Sequence, residues 1–211
     1  MDWNAALGLV PRTPTAEPSP LGSLVHRPTL YSRNGVTWAS VRCWASQAKA
    51  ADIAALRAQK ALPLSPVLAP AADEIAGLAE RLIGKAASVT TVPCGHSRRP
   101  DCFGKQLAVA VADRLAVPFQ QYFEDRFVRG ASHPKEFRKL APISWIDVPS
   151  HPGIVLLVDD VATSGWHMEE ALTALRGKGC AAVGIAWISG TVTVSNGSRS
   201  SAHGSDWTAT L

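Results

Sequence analysis

One stretch, IVLLVDDVATSGWHMEEAL at residues 154–172, constrains the fold of this chain more than any other. Five apolar residues run directly into Asp159 and Asp160, and a loop of small and hydroxylated residues then leads to Gly165. A continuous apolar run of this length is typical of a strand buried on both faces, as in a parallel sheet. Paired carboxylates at the end of such a strand are costly unless a cation or hydroxyl groups meet them. The stretch therefore predicts a strand, a loop and a helix, with functional groups at the end of the strand.

Segments on both sides continue this alternation of strands and helices. The pattern predicts strands at 88–93, 117–123, 153–160 and 181–189, and helices at 43–62, 71–85, 104–116 and 166–179. We expect Trp44, Ile53 and Leu56 on one face of the first helix, and Asp73 and Glu74 in the first turn of the second. Near-continuous apolar strands that alternate with helices predict an α/β fold, with a mostly parallel central sheet flanked by helices. Ligands of such sheets bind at the carboxyl ends of the strands.

The two ends of the chain are irregular in composition. We predict a proline-rich N-terminal arm at residues 1–30, an α/β domain at 31–194 with its core at 88–190, and a Ser/Gly-rich tail at 195–211. No signal peptide is visible, and no apolar run approaches the roughly 20 residues of a membrane helix. The four cysteines form no C-x-x-C pair, so we expect no structural zinc. We therefore expect a soluble cytoplasmic protein with reduced thiols and no membrane association.

The aspartate pair and the loop after it suit a phosphorylated sugar. Asp159 and Asp160 can accept hydrogen bonds from two sugar hydroxyls, or hold a metal directly or through water. Thr163 and Ser164 add hydroxyl donors, Gly165 permits a tight turn, and a helix N-terminus follows. Together these groups form a site for a phosphate. The same residues can also serve only as a strand end and a helix start, but the complete run favours a ribose 5-phosphate site. A net charge of +4 fits an anionic substrate or weak contact with nucleic acid.

VLLVDDVATSG resembles the motif with which type I phosphoribosyltransferases bind phosphoribosyl pyrophosphate (PRPP). The resemblance implies PRPP binding with Mg²⁺, with Asp159 and Asp160 as catalytic residues that hold the ribose hydroxyls and, directly or through water, the metal. It assigns the 5-phosphate to a loop made of Val161, Ala162, Thr163, Ser164 and Gly165.

The segment VTTVPCGHSRRPDCFGKQLAVAVADRLAVPF is similar to the ComF-like branch of that superfamily, although this sequence lacks the N-terminal zinc module common there. The matching residues are Val92, Pro93, Arg98, Arg99, Phe103, Gly104, Lys105 and Gln106. The resemblance implies a pyrophosphate loop made of Cys94, Gly95, His96, Ser97 and Arg99, with Arg98 as a catalytic residue beside the leaving group. It also implies a flexible hood over the site at residues 126–139, with Arg129, Lys135 and Arg138 as anion contacts.

The function implied by the resemblance is transfer of the phosphoribosyl group from PRPP to a nitrogen nucleophile such as a nucleobase, with release of pyrophosphate. The sequence does not specify the acceptor. Two alternatives stay open: a non-catalytic sensor of PRPP or a nucleotide that acts through a partner, in DNA uptake or regulation, and a phosphoribosyl hydrolase or phosphorylase. A homodimer and contact with nucleic acid are also left open.

Overall fold

The computed structural model describes residues 22, 24–45, 49–63, 65–93, 102–126, 142–147 and 152–192. The elements in chain order are β1 (Leu24–Arg33), β2 (Val36–Ala45), α1 (Lys49–Lys60), α2 (Leu68–Ile83), β3 (Ser88–Thr91), α3 (Phe103–Leu115), β4 (Ile154–Ala162), α4 (Trp166–Gly177) and β5 (Ala181–Val192). None of the helices in these described ranges is long and apolar enough to cross a membrane.

These strands form a single five-stranded sheet in the order β1-β2-β5-β4-β3. The strands β2, β5, β4 and β3 run parallel to one another, and β1 pairs with β2 in the antiparallel direction. A parallel bridge between Val89 and Phe119 adds one more contact beyond β3. The predicted α/β fold with a mostly parallel sheet flanked by helices is therefore confirmed. The strand predicted at 117–123 is reduced to single bridges at Phe119 and Phe123.

Strand β4 lies in the interior of the sheet and is buried on both faces. Leu156 and Val158 belong to a hydrophobic cluster that includes residues of α2 and α3. Val155 and Leu157 point to the opposite face, where they belong to a cluster with residues of α4. Because both faces are covered by helices, every position of the strand before the aspartates is apolar, as the sequence pattern indicated.

The sequence prediction was wrong at the N-terminal edge of the sheet. Residues 43–45, which were assigned to a helix, end β2, and α1 begins only at Lys49. Trp44 is therefore a buried strand residue and does not share a helix face with Ile53 and Leu56. The sequence of β2 is VTWASVRCWA, and its β-branched and aromatic residues favour a strand over the helix suggested by the alanines that follow.

Two element boundaries also differ from the prediction. Strand β1 begins at Leu24, inside the segment assigned to the proline-rich arm. Helix α2 begins at Leu68, so its first turn holds no acidic residue, and Asp73 and Glu74 lie deeper in the helix. The first 21 residues and the predicted tail at 195–211 lie outside the described residues.

Candidate functional site

The aspartate pair lies near the carboxyl end of β4, an interior strand of the sheet that continues to Ala162. Asp159 pairs in register with Ala186 of β5, and Val158 pairs with Thr91 at the end of β3. The Thr91 hydroxyl also donates a hydrogen bond to the Val158 carbonyl at 3.1 Å. The acids thus lie beside the carboxyl end of β3, whereas β5 continues past them to Val192. The carboxyl ends of parallel strands are the usual position of a ligand in an α/β sheet.

The loop from Ala162 to Gly165 turns the chain from β4 into α4, which begins at Trp166. Gly165 has φ of +73°, a conformation that side chains disfavour. A Cβ atom at this position would lie 2.7 Å from Cζ2 of Trp38, a buried residue of β2. The glycine therefore lets the loop pack directly on the indole ring of Trp38. The first N–H groups of α4 have no acceptor inside the helix and give this end a partial positive charge.

Each aspartate accepts a backbone hydrogen bond from the next residue of β4. The Asp160 N–H donates to Oδ1 of Asp159 at 2.9 Å, and the Val161 N–H donates to Oδ1 of Asp160 at 2.8 Å. Asp159 is buried with 9% of its surface exposed, and the Asp160 side chain is 16% exposed. The two carboxyl groups are therefore fixed in orientation before any ligand arrives.

Burial and mutual repulsion make the two carboxyl groups unequal. Burial, reinforced by the charge of Asp160, raises the pKa of Asp159 to about 7, and the nearby Lys60 ammonium opposes this only in part. Burial would also raise the pKa of Asp160, but its ion pair with Lys60 outweighs that effect and lowers the pKa below the ordinary value. Asp160 therefore carries the negative charge at neutral pH, and Asp159 retains a proton more readily.

Lys60, the last residue of α1, is a site residue that sequence reasoning missed. Its Nζ forms an ion pair with Oδ2 of Asp160 and lies 5.4 Å from the ring centre of Phe103, the first residue of α3. Burial would lower the pKa of Lys60, but the two aspartates raise it overall, so the ammonium stays charged. No periodicity or motif links Lys60 to a residue so distant in the sequence, and only the fold brings them together.

A small cleft of about 40 Å³ opens beside the acid pair. It is lined by Trp44, Val161, Ala162, Thr163, Ser189 and Gly190. Its floor is fixed by the Ser189 hydroxyl, which hydrogen-bonds Tyr31 Oη at 2.6 Å and Ser40 Oγ at 2.7 Å. The cleft thus joins the loop after β4 to the ends of β2 and β5, and Thr163 is exposed beside it.

The donor atoms at this site fit a magnesium ion held jointly with a phosphorylated ligand. Mg²⁺ prefers carboxylate oxygens and phosphate oxygens, and it often takes only one or two carboxylates from the protein. Asp159 and Asp160 supply such oxygens on adjacent residues. Within the described ranges no group of three or more His, Cys, Asp or Glu side chains could hold a metal ion without further ligands.

Several predicted site residues lie outside the part of the chain that the structure describes. These are Cys94, Gly95, His96, Ser97, Arg98 and Arg99 of the pyrophosphate loop, and Arg129, Lys135 and Arg138 of the hood. The residues that flank the first group are described. Val92 and Pro93 are buried after β3, and Phe103 and Gly104 begin α3. The matching Lys105 forms an ion pair with Asp125, with 2.8 Å between Nζ and Oδ2.

Comparison with known proteins does not assign this chain to a family. No protein-family model matches this sequence, and no curated protein matches it. Among solved structures, the chain is similar to the crystal structure of orotate phosphoribosyltransferase from Aeropyrum pernix, with 20% sequence identity and a TM-score of 0.37. The match covers 79% of this chain and 75% of that one. The functional proposal therefore rests on the residues of the site.

Proposed function

We propose that the protein binds PRPP with Mg²⁺ and transfers its phosphoribosyl group to a nitrogen nucleophile such as a nucleobase, releasing pyrophosphate. One observation carries the proposal: a fixed acid pair, Asp159 and Asp160, stands immediately before the Gly165 turn and the N-terminus of α4. Carboxylates that accept hydrogen bonds from a diol, next to backbone N–H groups that bind a phosphate, match the two ends of a ribose 5-phosphate.

In this proposal each part of the site has one task. The backbone N–H groups of 163–165, the hydroxyls of Thr163 and Ser164, and the positive end of α4 hold the 5-phosphate. Asp159 and Asp160 accept hydrogen bonds from the 2- and 3-hydroxyls and so fix the position of C1. Asp159 and Asp160 would also hold Mg²⁺, which would supply positive charge to offset that of the pyrophosphate. Arg98 and Arg99, together with the loop at 94–97, would face the same leaving group.

The reaction then requires positioning more than covalent catalysis by the protein. The bond between C1 and the pyrophosphate oxygen breaks, a bond from the acceptor nitrogen to C1 forms, and pyrophosphate leaves with the electron pair. Positive charge develops on the ribose ring as the leaving group departs. The negative charge of Asp160 stabilises that developing charge, and the fixed diol keeps C1 in line with the acceptor.

Membership of the ComF-like branch is part of the proposal. It is supported by Val92 and Pro93 directly after β3 and by Phe103 and Gly104 at the start of α3, in the order that the resemblance implies. A sensor that binds PRPP without turnover would use the same acid pair and loop, so the test must measure binding and turnover separately.

The proposal is tested by calorimetry with PRPP and nucleoside monophosphates in the presence of Mg²⁺. Thr163→Ala and Ser164→Ala each remove one hydroxyl donor to a charged group, which should weaken binding about ten-fold. Asp160→Asn should weaken Mg²⁺-dependent binding, and ligands without the 5-phosphate should bind far worse. Thr173→Ala is the matched control, because that hydroxyl donates to the Glu169 carbonyl inside α4 at 2.7 Å and does not face the loop.

Turnover is measured as pyrophosphate release with a panel of nucleobases. Release that depends on one base identifies the acceptor, whereas tight binding without release over the whole panel would favour a sensor. A folded wild-type protein that binds neither PRPP nor any nucleoside monophosphate at millimolar concentration with Mg²⁺ would refute the proposed site.

A further inference from the structure

We propose that Lys60 is the resident counter-ion of the acid pair and competes with a divalent cation for Asp160. The inference rests on the proposed function, because it takes Asp159 and Asp160 as the carboxylates that hold the metal. It adds a regulatory residue from α1, an element outside the sequence motif, and it predicts which interaction must break before metal binds.

Both oxygens of Asp160 already have partners in this structure. Oδ1 accepts the Val161 N–H at 2.8 Å, and Oδ2 is in contact with the Lys60 ammonium. The neighbouring Asp159 uses its Oδ1 to accept the Asp160 N–H at 2.9 Å. A divalent cation that bound Asp160 through Oδ2 would therefore have to displace Lys60, since two cations at one oxygen repel each other.

The location of Lys60 distinguishes it from an ordinary surface lysine. Its side chain is only 28% exposed, and that of Asp160 is 16% exposed, so solvent screens this pair less than a pair on the open surface. Lys60 Nζ also lies 5.4 Å from the ring centre of Phe103. The ammonium thus stands between the end of β4 and the start of α3, which are the two chain segments that the proposed ligand would bridge.

A purely structural role for Lys60 makes a different prediction. If Lys60 only fixed the end of α1 to the sheet, its replacement would lower stability and leave cation binding unchanged or weaker. If Lys60 is a competitor, removal of its charge should tighten cation binding, because Asp160 then regains a free oxygen and an uncompensated charge. The two roles therefore differ in the direction of the effect on metal affinity.

The test uses Mn²⁺ alone as the probe, followed by the electron paramagnetic resonance signal of the free ion at pH 7.5. Lys60→Gln should bind Mn²⁺ about five-fold more tightly than wild type, as expected for removal of one partly buried ion pair. Lys60→Arg retains the charge and should bind like wild type. Lys85→Gln is the matched control at an exposed position, and its affinity should not change. Adding Asp160→Asn to Lys60→Gln should abolish the gain.

A second measurement on the wild-type protein needs no substitution at Lys60. Mn²⁺ should accelerate acetylation of Lys60 by a small anhydride, measured by mass spectrometry, because the displaced amine becomes more accessible. Equal or weaker Mn²⁺ binding by Lys60→Gln, no Mn²⁺ binding by either protein, or an acetylation rate that Mn²⁺ does not change would each overturn the inference.

These results are independent of PRPP binding. If Lys60→Gln binds Mn²⁺ more tightly but the wild-type protein does not bind PRPP, only the proposed function is refuted. If the wild-type protein binds PRPP but Lys60→Gln does not change the Mn²⁺ affinity, only the role of Lys60 is refuted.

Discussion

Replacement of Asp159 by asparagine should stabilise the ligand-free protein. Asp159 is buried, and its burial together with the charge of Asp160 raises its pKa to about 7. A carboxyl group in this position must either bind a proton or bear a buried charge that Lys60 compensates only in part. Asparagine has nearly the same shape and avoids both costs. Its side-chain oxygen can also accept the hydrogen bond that the Asp160 N–H donates at 2.9 Å.

The magnitude follows from the difference in proton affinity between the folded and unfolded chain. The pKa of Asp159 rises from 3.8 to about 7 on folding, so the folded chain binds the proton more tightly than the unfolded chain. This proton binding favours folding, and its contribution is fully present below pH 3.8. It is lost as the pH rises to about 7, which costs up to about 4 kcal/mol at about 1.4 kcal/mol per pH unit. Because Lys60 relaxes toward the pair, we expect a net gain of about 1 to 3 kcal/mol for Asp159→Asn at pH 8.

Urea denaturation of both proteins from pH 5 to pH 8.5, with a chelator present, measures this difference. The advantage of the variant should grow from pH 5 to about pH 7 and then level off. Asp147→Asn, at an exposed position, is the control and should show no such trend. A variant that is equally or less stable than wild type at pH 8, or a difference that does not depend on pH, would refute the reasoning. The same variant should also bind PRPP with Mg²⁺ more weakly, if Asp159 holds the ribose.

Two further substitutions test packing, one at the loop and one between β2 and α2. Gly165→Ala should lower the free energy of unfolding by about 1 to 3 kcal/mol, because φ is +73° and the new methyl group would meet Trp38 at 2.7 Å. Gly77→Ala in α2, where the nearest atom is 3.6 Å away, is its control and should be neutral or stabilising in the same thermal melt. Arg42→Met should cost about 3 kcal/mol in urea denaturation, because it leaves the Glu74 carboxylate without the guanidinium that binds it at 2.8 Å. If Arg42→Met lowers the free energy of unfolding no more than a substitution at an exposed position does, water replaces the arginine as the partner of Glu74.

The central part of the fold could be predicted because local pattern and tertiary environment agree there. β4 is apolar at every position before Asp159 because helices cover both of its faces. The uninterrupted apolar sequence therefore indicates burial on both faces. The hairpin of β1 and β2 was missed although its turn carries a local signal. Asn34 and Gly35 both have positive φ, as a two-residue hairpin turn requires. The alanine-rich stretch that follows β2 outweighed this signal and extended the predicted helix backwards to residue 43.

The site could be predicted only where its groups are adjacent in the sequence. Asp159, Asp160 and the loop to Gly165 form one continuous stretch, so their chemistry can be read together. Lys60 and Trp38 belong to other elements, and each contacts the stretch only through the tertiary fold. Ion pairs and aromatic contacts of this kind leave no periodic trace in a single sequence, so neither residue could be identified before the structure.

The order of the strands explains why the N-terminal elements reach the site at all. β2 lies beside β5, β5 lies beside β4, and all three run in the same direction, so their carboxyl ends share one edge of the sheet. Helix α1 follows β2 from that edge and ends at Lys60, where the ammonium meets Asp160. In the same sheet, Trp38 of β2 packs beneath Gly165. β2 and α1 therefore supply the ring on which the loop packs and the ammonium that pairs with Asp160, although the motif lies wholly in residues 155–165. A fragment with the motif but without β2 and α1 would retain the two aspartates and lose the cation that pairs with Asp160.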